Sequence, residues 1–150
     1  MEPKAISLRR ATEADATAVA QLSNILGYDA APGVIAGRLR SILGSNSDLV
    51  VVAEDTSGAV AGWLQAHAAH IVESGFRVEI TGLIVSPDQR RRGVGRALVA
   101  EAERWAGTIA AGAIVVRSKV QRVESHAFYP ALGYTPTKTQ NVYRKVLSNK

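Results

Sequence analysis

The segment Leu83–Leu98 constrains this chain most, because it reads as the end of a strand, a turn, and a helix that begins on glycines. The turn and the start of the helix are Arg90, Arg91, Arg92, Gly93, Val94, Gly95 and Arg96. Backbone N–H groups at a helix N-terminus lack partners within the helix and carry partial positive charge, and glycine allows a ligand to approach them closely. Arginines add charge-assisted hydrogen bonds to anions. The segment therefore predicts a pyrophosphate-binding turn.

Other motifs of this kind fit the segment less well. A P-loop requires Gly-Lys followed by Ser or Thr, and the chain contains no such tripeptide. A dinucleotide-binding fingerprint requires a third glycine or an alanine where Leu98 stands, and it usually lies in the first strand–helix unit of a chain. A helix start with three solvated arginines and no ligand remains an alternative on this segment alone.

Composition favours one globular domain over residues 1–150, with 47% hydrophobic and 21% charged residues. The chain has no cysteine, which excludes disulfides, thiolate metal sites and a cysteine nucleophile. His67 and His70 lie three apart on a predicted strand, hence on opposite faces, and no carboxylate motif accompanies them, so we expect no metal.

The charge and hydropathy of the chain indicate its binding partners and its cellular location. The net charge is +5, and its densest cluster is a short run of arginines without interleaved aromatics, which favours a polyanionic small molecule over nucleic acid. No segment is apolar for long enough to span a bilayer or to serve as a secretion signal. We expect a cytoplasmic protein with no membrane partner and no nucleic-acid partner.

Periodicity and turn signals predict the order of the elements. The predicted strands are Ala5–Arg9, Leu49–Glu54, Ala59–Ile71, Arg77–Val85, Ala113–Val116 and Gln140–Val146, and the predicted helices are Thr12–Leu26, Pro32–Leu43, one that begins at Val94, and Val123–Leu132. Early hairpins followed by alternating strands and helices indicate an α+β layered domain. Its sheet should be mixed and mostly antiparallel, with helices on both faces.

A second motif, Phe128-Tyr129-x-x-x-Gly133-Tyr134, follows the predicted fifth strand. Together with Arg90-x-x-Gly93-x-Gly95, and in this order along the chain, it resembles the signature of the GNAT superfamily of N-acetyltransferases. The resemblance covers most of the chain. It implies a three-layer α/β/α fold with six to seven strands and about four helices, and acetyl-CoA as co-substrate.

The resemblance also implies how acetyl-CoA binds. The fourth and fifth strands should splay apart, and the pantetheine arm should pair with the free edge of the fourth strand at Ile84 and Val85, with a main-chain amide near Leu83 binding the oxyanion. The cofactor-binding residues implied are Leu83, Ile84, Val85, Arg90, Arg91, Arg92, Gly93, Val94, Gly95, Arg96, Ser125, Phe128 and Tyr129. Many members use an asparagine near the pantetheine arm, and here Ser125 or a main-chain group would replace it.

The chemistry implied is direct transfer of acetyl to a primary amine of a small molecule or peptide. An amine of pKa about 10.4 arrives as ammonium, and its deprotonation at pH 7 costs about 4–5 kcal/mol. Glu79 is the candidate general base, acting through water, although a carboxylate paired with a neighbouring arginine is an equal interpretation. Tyr129 is the candidate general acid for the leaving thiolate, and its alternative is an aromatic packing role.

A rival function is a non-catalytic acyl-CoA-binding regulatory module. Retention of both Glu79 and Tyr129 favours the enzyme. The identity of the acceptor amine stays open at this point, and so does the oligomeric state, with a homodimer among the alternatives.

Overall fold

The computed structural model describes residues 5–89, 93–117 and 123–148, with the backbone alone for residues 123–126. The chain divides into two compact units, residues 1–117 and residues 118–150. Counted over the described residues, the first unit contains a sheet and three α-helices, and the second contains one α-helix. None of the helices in the described ranges has the length and apolar content needed to cross a bilayer.

The elements of the first unit form a five-stranded sheet in the order β1-β2-β3-β4-β5. The strands are β1 Ile6–Arg10, β2 Asp48–Asp55, β3 Val60–Ile71, β4 Gly75–Val85 and β5 Ile114–Val116, and the helices are α1 Ala16–Ile25, α2 Pro32–Leu43 and α3 Val94–Thr108. Neighbouring strands from β1 to β4 are antiparallel, and β5 runs parallel to β4. The mixed, mostly antiparallel sheet is as expected.

Helices cover both faces of this sheet. On one face, Val50 and Val52 of β2 pack with Leu39 of α2, and Trp63 of β3 lies against the same cluster. On the other face, α3 lies so close to β3 that a Cβ on Gly62 would be 3.3 Å from side-chain atoms of both Leu98 and Val94. The first unit is therefore a helix–sheet–helix sandwich.

The start of α1 is held to the sheet by an ion pair. Asp15 lies in the 3₁₀ turn Glu13–Asp15, and its oxygens accept hydrogen bonds from two nitrogens of Arg9 at 2.9 and 2.8 Å. Asp15 Oδ2 also accepts from the backbone N–H of Thr12 at 2.7 Å, and Thr12 and Asp15 together form a capping box. The hydrogen bond from Arg9 is the main reason that the pKa of Asp15 lies below its usual value.

The variant Asp15→Asn should unfold more easily, by about 2 kcal/mol, because it removes one of the two carboxylates that pair with the partly buried Arg9 guanidinium and leaves only Glu54. Since folding lowers the pKa of Asp15, the stabilisation is present above about pH 4 and is lost as the pH falls through the lowered pKa. Urea unfolding at pH 7 and pH 3 measures the difference. An equal gap between the wild type and the variant at both pH values would contradict the assignment.

The second unit contains α4, Val123–Ala131. The predicted strand Gln140–Val146 is wrong, because residues 135–148 have no regular secondary structure. The described part of this unit offers no other strand for ladder hydrogen bonds, and the side chains of Val142, Tyr143 and Val146 are exposed. With five strands in the described residues, the expectation of six to seven strands is not met.

Candidate active site

A β-bulge interrupts β4 in the middle of the sheet. Ala66 of β3 faces Ile80, but the preceding residue Gln65 faces Gly82, so Thr81 is an extra residue without a partner on β3. An extra residue reverses the alternation of the bulged strand. Side chains of β4 and the directions of its peptide groups therefore change sides at Thr81.

Beyond the bulge, β4 has an open edge. The parallel pairing with β5 extends from Val78 to Ile80 and stops there, so in the described ranges residues 81–85 have no strand neighbour on that side. Ser86 donates its N–H to the carbonyl of Ala61 on β3 at 2.8 Å. Backbone groups alternate in direction along a strand of an antiparallel ladder. The N–H and C=O of Ile84 therefore also point toward β3, whereas those of Leu83 and Val85 point toward the open edge. Of the predicted edge pair Ile84 and Val85, Val85 therefore directs its backbone groups toward the open edge and Ile84 does not, and their contact with a pantetheine arm stays a prediction.

The chain passes from this edge through the short 3₁₀ turn Pro87–Gln89 to the N-terminus of α3. Gly93 is the N-cap, with φ +81°, a conformation that glycine adopts without strain, and among the described residues no side chain caps the helix. Ala97 donates its N–H to the Gly93 carbonyl at 3.0 Å. The amides of Val94, Gly95 and Arg96 precede it in the first turn of the helix, where an amide has no carbonyl partner within its own helix.

Glu79 of β4 lies two residues before the bulge and is tied to two arginines. Its Oε1 accepts from Arg77 at 2.8 Å, and its Oε2 accepts from Arg117 at 2.6 Å. The carboxylate side chain is 17% exposed. Both oxygens are therefore engaged, and a proton or an amine that reaches Glu79 must share them with two guanidinium groups.

The glycine and the last tyrosine of the second motif form the C-terminal cap of α4. Gly133 has φ +93°, the left-handed conformation, and Tyr134 donates its N–H to the carbonyl of Tyr129 at 3.1 Å. With the bond from Gly133 to Pro130 at 3.0 Å, this is a Schellman cap, which requires a glycine or asparagine at this position. The Tyr129 ring makes edge contacts with Phe128 and Tyr134, at centroid distances of 4.9 and 5.9 Å. The cap and the ring contacts together orient Tyr129.

Some of the predicted site residues lie outside the described structure. Arg90, Arg91 and Arg92 fall in the gap between residues 89 and 93, and Ser125 lies on α4 in the stretch described by backbone alone. Their predicted roles toward pyrophosphate and pantetheine remain predictions. Within the described ranges, no group of three or more His, Cys, Asp or Glu side chains could hold a metal ion.

The structure also reveals a polar pair that the sequence patterns did not indicate. His67 of β3 bonds through Nδ1 to Oδ1 of Asp48 on β2 at 2.9 Å, and the two residues are direct partners in the sheet register. They are nineteen positions apart in sequence. Only the register of β2 against β3 could have pointed to this pair.

Comparison with known proteins agrees with this geometry. Residues 24–134 match the model of the Acetyltransferase (GNAT) family. The chain belongs to this family. A GNAT enzyme transfers the acetyl group of acetyl-CoA to an amine, and the chain is an acetyl-CoA-dependent N-acetyltransferase.

Similar proteins include several acetyltransferases of antibiotics. Aminoglycoside N(6')-acetyltransferase type 1 of Stenotrophomonas maltophilia is 29% identical over 151 residues, which cover 98% of this chain and 97% of that protein. The structure of aminoglycoside 6'-N-acetyltransferase AAC(6')-Ih from Acinetobacter baumannii has a TM-score of 0.83 at 20% identity and covers 96% of this chain and 100% of its own. AAC(6')-Iy in complex with the bisubstrate analogue CoA-S-monomethyl-acetylneamine has a TM-score of 0.84 at 21% identity, with 95% and 99% covered.

Proposed function

We propose that this GNAT enzyme acetylates an amino group of an aminoglycoside or a closely similar amino sugar. The observation that carries the choice of acceptor is the almost end-to-end match with the aminoglycoside acetyltransferase of S. maltophilia. An amino sugar is also a small primary amine, which is the class of acceptor expected from the sequence. A cytoplasmic location, a homodimer and the absence of nucleic-acid or membrane partners stay predictions.

The donor binds along β4 and α3 in this proposal. Backbone groups of Leu83 and Val85 at the open edge pair with the amides of the pantetheine arm, in the way that a peptide adds to a sheet edge. Amides of the first turn of α3 bind the pyrophosphate. The support for this assignment is that only residues 86–93 separate the open edge of β4 from the start of α3 along the chain.

Acid–base roles belong to Glu79 and Tyr129 in this proposal. Glu79 attracts the acceptor ammonium and assists its deprotonation through water. The free amine then attacks the thioester carbonyl carbon, and an edge amide of β4 stabilises the oxyanion. As the carbon–sulfur bond breaks, Tyr129 donates its phenolic proton to the thiolate, which is feasible because thiol and phenol pKa values are ordinarily about 8.5 and 10.

A panel of acceptors tests the proposal. The wild-type enzyme is incubated with acetyl-CoA and one amine at a time, and release of the free thiol of CoA is measured. We expect release with an aminoglycoside that carries a 6'-amino group and none above background with the matched compound that carries a 6'-hydroxyl group. An amino acid and a lysine peptide complete the panel.

Each other outcome of the panel contradicts a stated part of the proposal. Release with the peptide but not with the aminoglycosides would replace the acceptor class and leave acetyl transfer in place. Tight acetyl-CoA binding with no thiol release for any amine would favour the regulatory module instead of the enzyme.

A further inference from the structure

Three polar residues form a row across one face of the sheet. In the strand register Asp48 of β2 faces His67 of β3, and His67 in turn faces Glu79 of β4. Residues directly opposite each other share a face of the sheet, with Cβ atoms about 5 Å apart. The side chains of Asp48, His67 and Glu79 are 15%, 46% and 17% exposed. The row is therefore a polar track that water can reach at His67.

The contact with Asp48 sets the tautomer of His67. An ionised carboxylate can only accept a hydrogen bond, so in the 2.9 Å contact Nδ1 carries the proton and donates it to Asp48 Oδ1. The lone pair of the neutral ring is then at Nε2. In the part of the chain that the structure describes, Nε2 of His67 has no hydrogen-bond partner. A carboxylate that orients an imidazole in this way prepares the ring to accept a proton.

Unlike Nε2 of His67, the carboxylate oxygens of Glu79 already have hydrogen-bond donors. Each of its oxygens already accepts from a guanidinium, one from Arg77 and the other from Arg117. His67 is the neighbour of Glu79 on β3 and has an open acceptor atom. A water molecule near Glu79 can therefore transfer a proton to the lone pair on Nε2 of His67.

We propose that His67, oriented by Asp48, is a proton-relay residue for acetyl transfer, and this rests on the proposed function above. The acceptor ammonium loses a proton to a water molecule at Glu79, and that water passes a proton to Nε2 of His67. The nitrogen lone pair left on the amine forms the new bond to the acetyl carbon. The thiolate takes its proton from Tyr129, and the second proton that the nitrogen loses as the amide forms returns to the tyrosinate. The imidazolium releases its proton to solvent, so protons balance over one turnover.

The relay makes a prediction about pH. The charged groups opposite His67 in the sheet are Asp48 on β2 and Glu79 on β4, and Glu79 in turn pairs with Arg77 and Arg117. An imidazole ordinarily changes charge between pH 5 and 8, whereas the acceptor amine needs no relay once the solution is alkaline enough to deprotonate it. The loss on removing His67 should therefore be largest near neutral pH and shrink toward pH 10.

The test compares kcat and KM of wild type and His67→Gln from pH 6 to pH 10, with the amine that gives the fastest thiol release. We expect kcat at pH 7 to fall about tenfold to a hundredfold, with KM for acetyl-CoA unchanged. Asp48→Asn should lower kcat in the same direction by a smaller factor. In His67→Ala, added imidazole should restore part of kcat, which a purely structural role would not allow.

His70→Gln is the matched control, because His70 lies on the same strand and its ring stacks on Phe76 at a centroid distance of 4.3 Å. Its pH profile should coincide with that of the wild type. A His67→Gln enzyme with the wild-type kcat and pH profile would overturn the relay, as would a uniform loss at every pH without imidazole rescue. A wild type that acetylates no amine would instead overturn the proposed function, so the two failures are distinguishable.

Discussion

The variant Gly95→Val should lose acetyl-CoA binding by at least about 100-fold, with its fold retained. Gly95 is the second residue of α3, in the first turn, where amides lack partners within the helix, and we expect a valine side chain there to block the approach of a pyrophosphate. Charge-assisted hydrogen bonds are worth about 1.5–3 kcal/mol each, so losing one or two of them is sufficient. Isothermal titration calorimetry with acetyl-CoA measures the affinity, and circular dichroism checks the fold.

Gly107→Val provides the control for this experiment. Gly107 lies near the opposite end of the same helix, and a Cβ there would meet nothing within 4 Å, so the substitution should leave affinity and fold unchanged. Wild-type affinity in a folded Gly95→Val protein would show that the start of α3 is not the pyrophosphate site. The assignment of the donor site would then have to be abandoned.

The variant Tyr129→Phe should lower kcat by about 100-fold and leave acetyl-CoA affinity nearly intact. Phenylalanine keeps the ring contacts with Phe128 and Tyr134 but removes the proton that the leaving thiolate would take. General acid catalysis typically contributes a factor of this size or more. Steady-state thiol release at saturating acceptor and donor measures it, with calorimetry for the affinity.

Tyr143→Phe is the comparison variant, since Tyr143 is 89% exposed and has no assigned role. It should turn over at the wild-type rate. If Tyr129→Phe is as fast as Tyr143→Phe, the phenol takes no part in the chemistry, and Tyr129 has only the packing role that the sequence left as its alternative.

Features set by residues close together in the chain could be predicted from the sequence. The helix Pro32–Leu43 has the predicted bounds, with a proline at its start and Gly44 just after its end, and Asp15 caps the turn before α1. The glycine of the second motif ends α4 in the left-handed conformation. Such features depend on hydrogen bonds between residues three to five positions apart, so a short segment contains all the information that they need.

The sequence alone also predicted which family the chain belongs to, since its two motifs lie within the residues that match the GNAT model. Only the tertiary structure showed which distant residues contact one another. The bulge at Thr81, the contact of Arg117 with Glu79, and the Asp48–His67 pair all depend on how neighbouring strands are aligned. The predicted strand Gln140–Val146 is wrong for the same reason. Alternating apolar residues indicate a strand, but they do not show which other strand would pair with it. Strand register is determined by contacts between distant parts of the chain, and no local pattern encodes them.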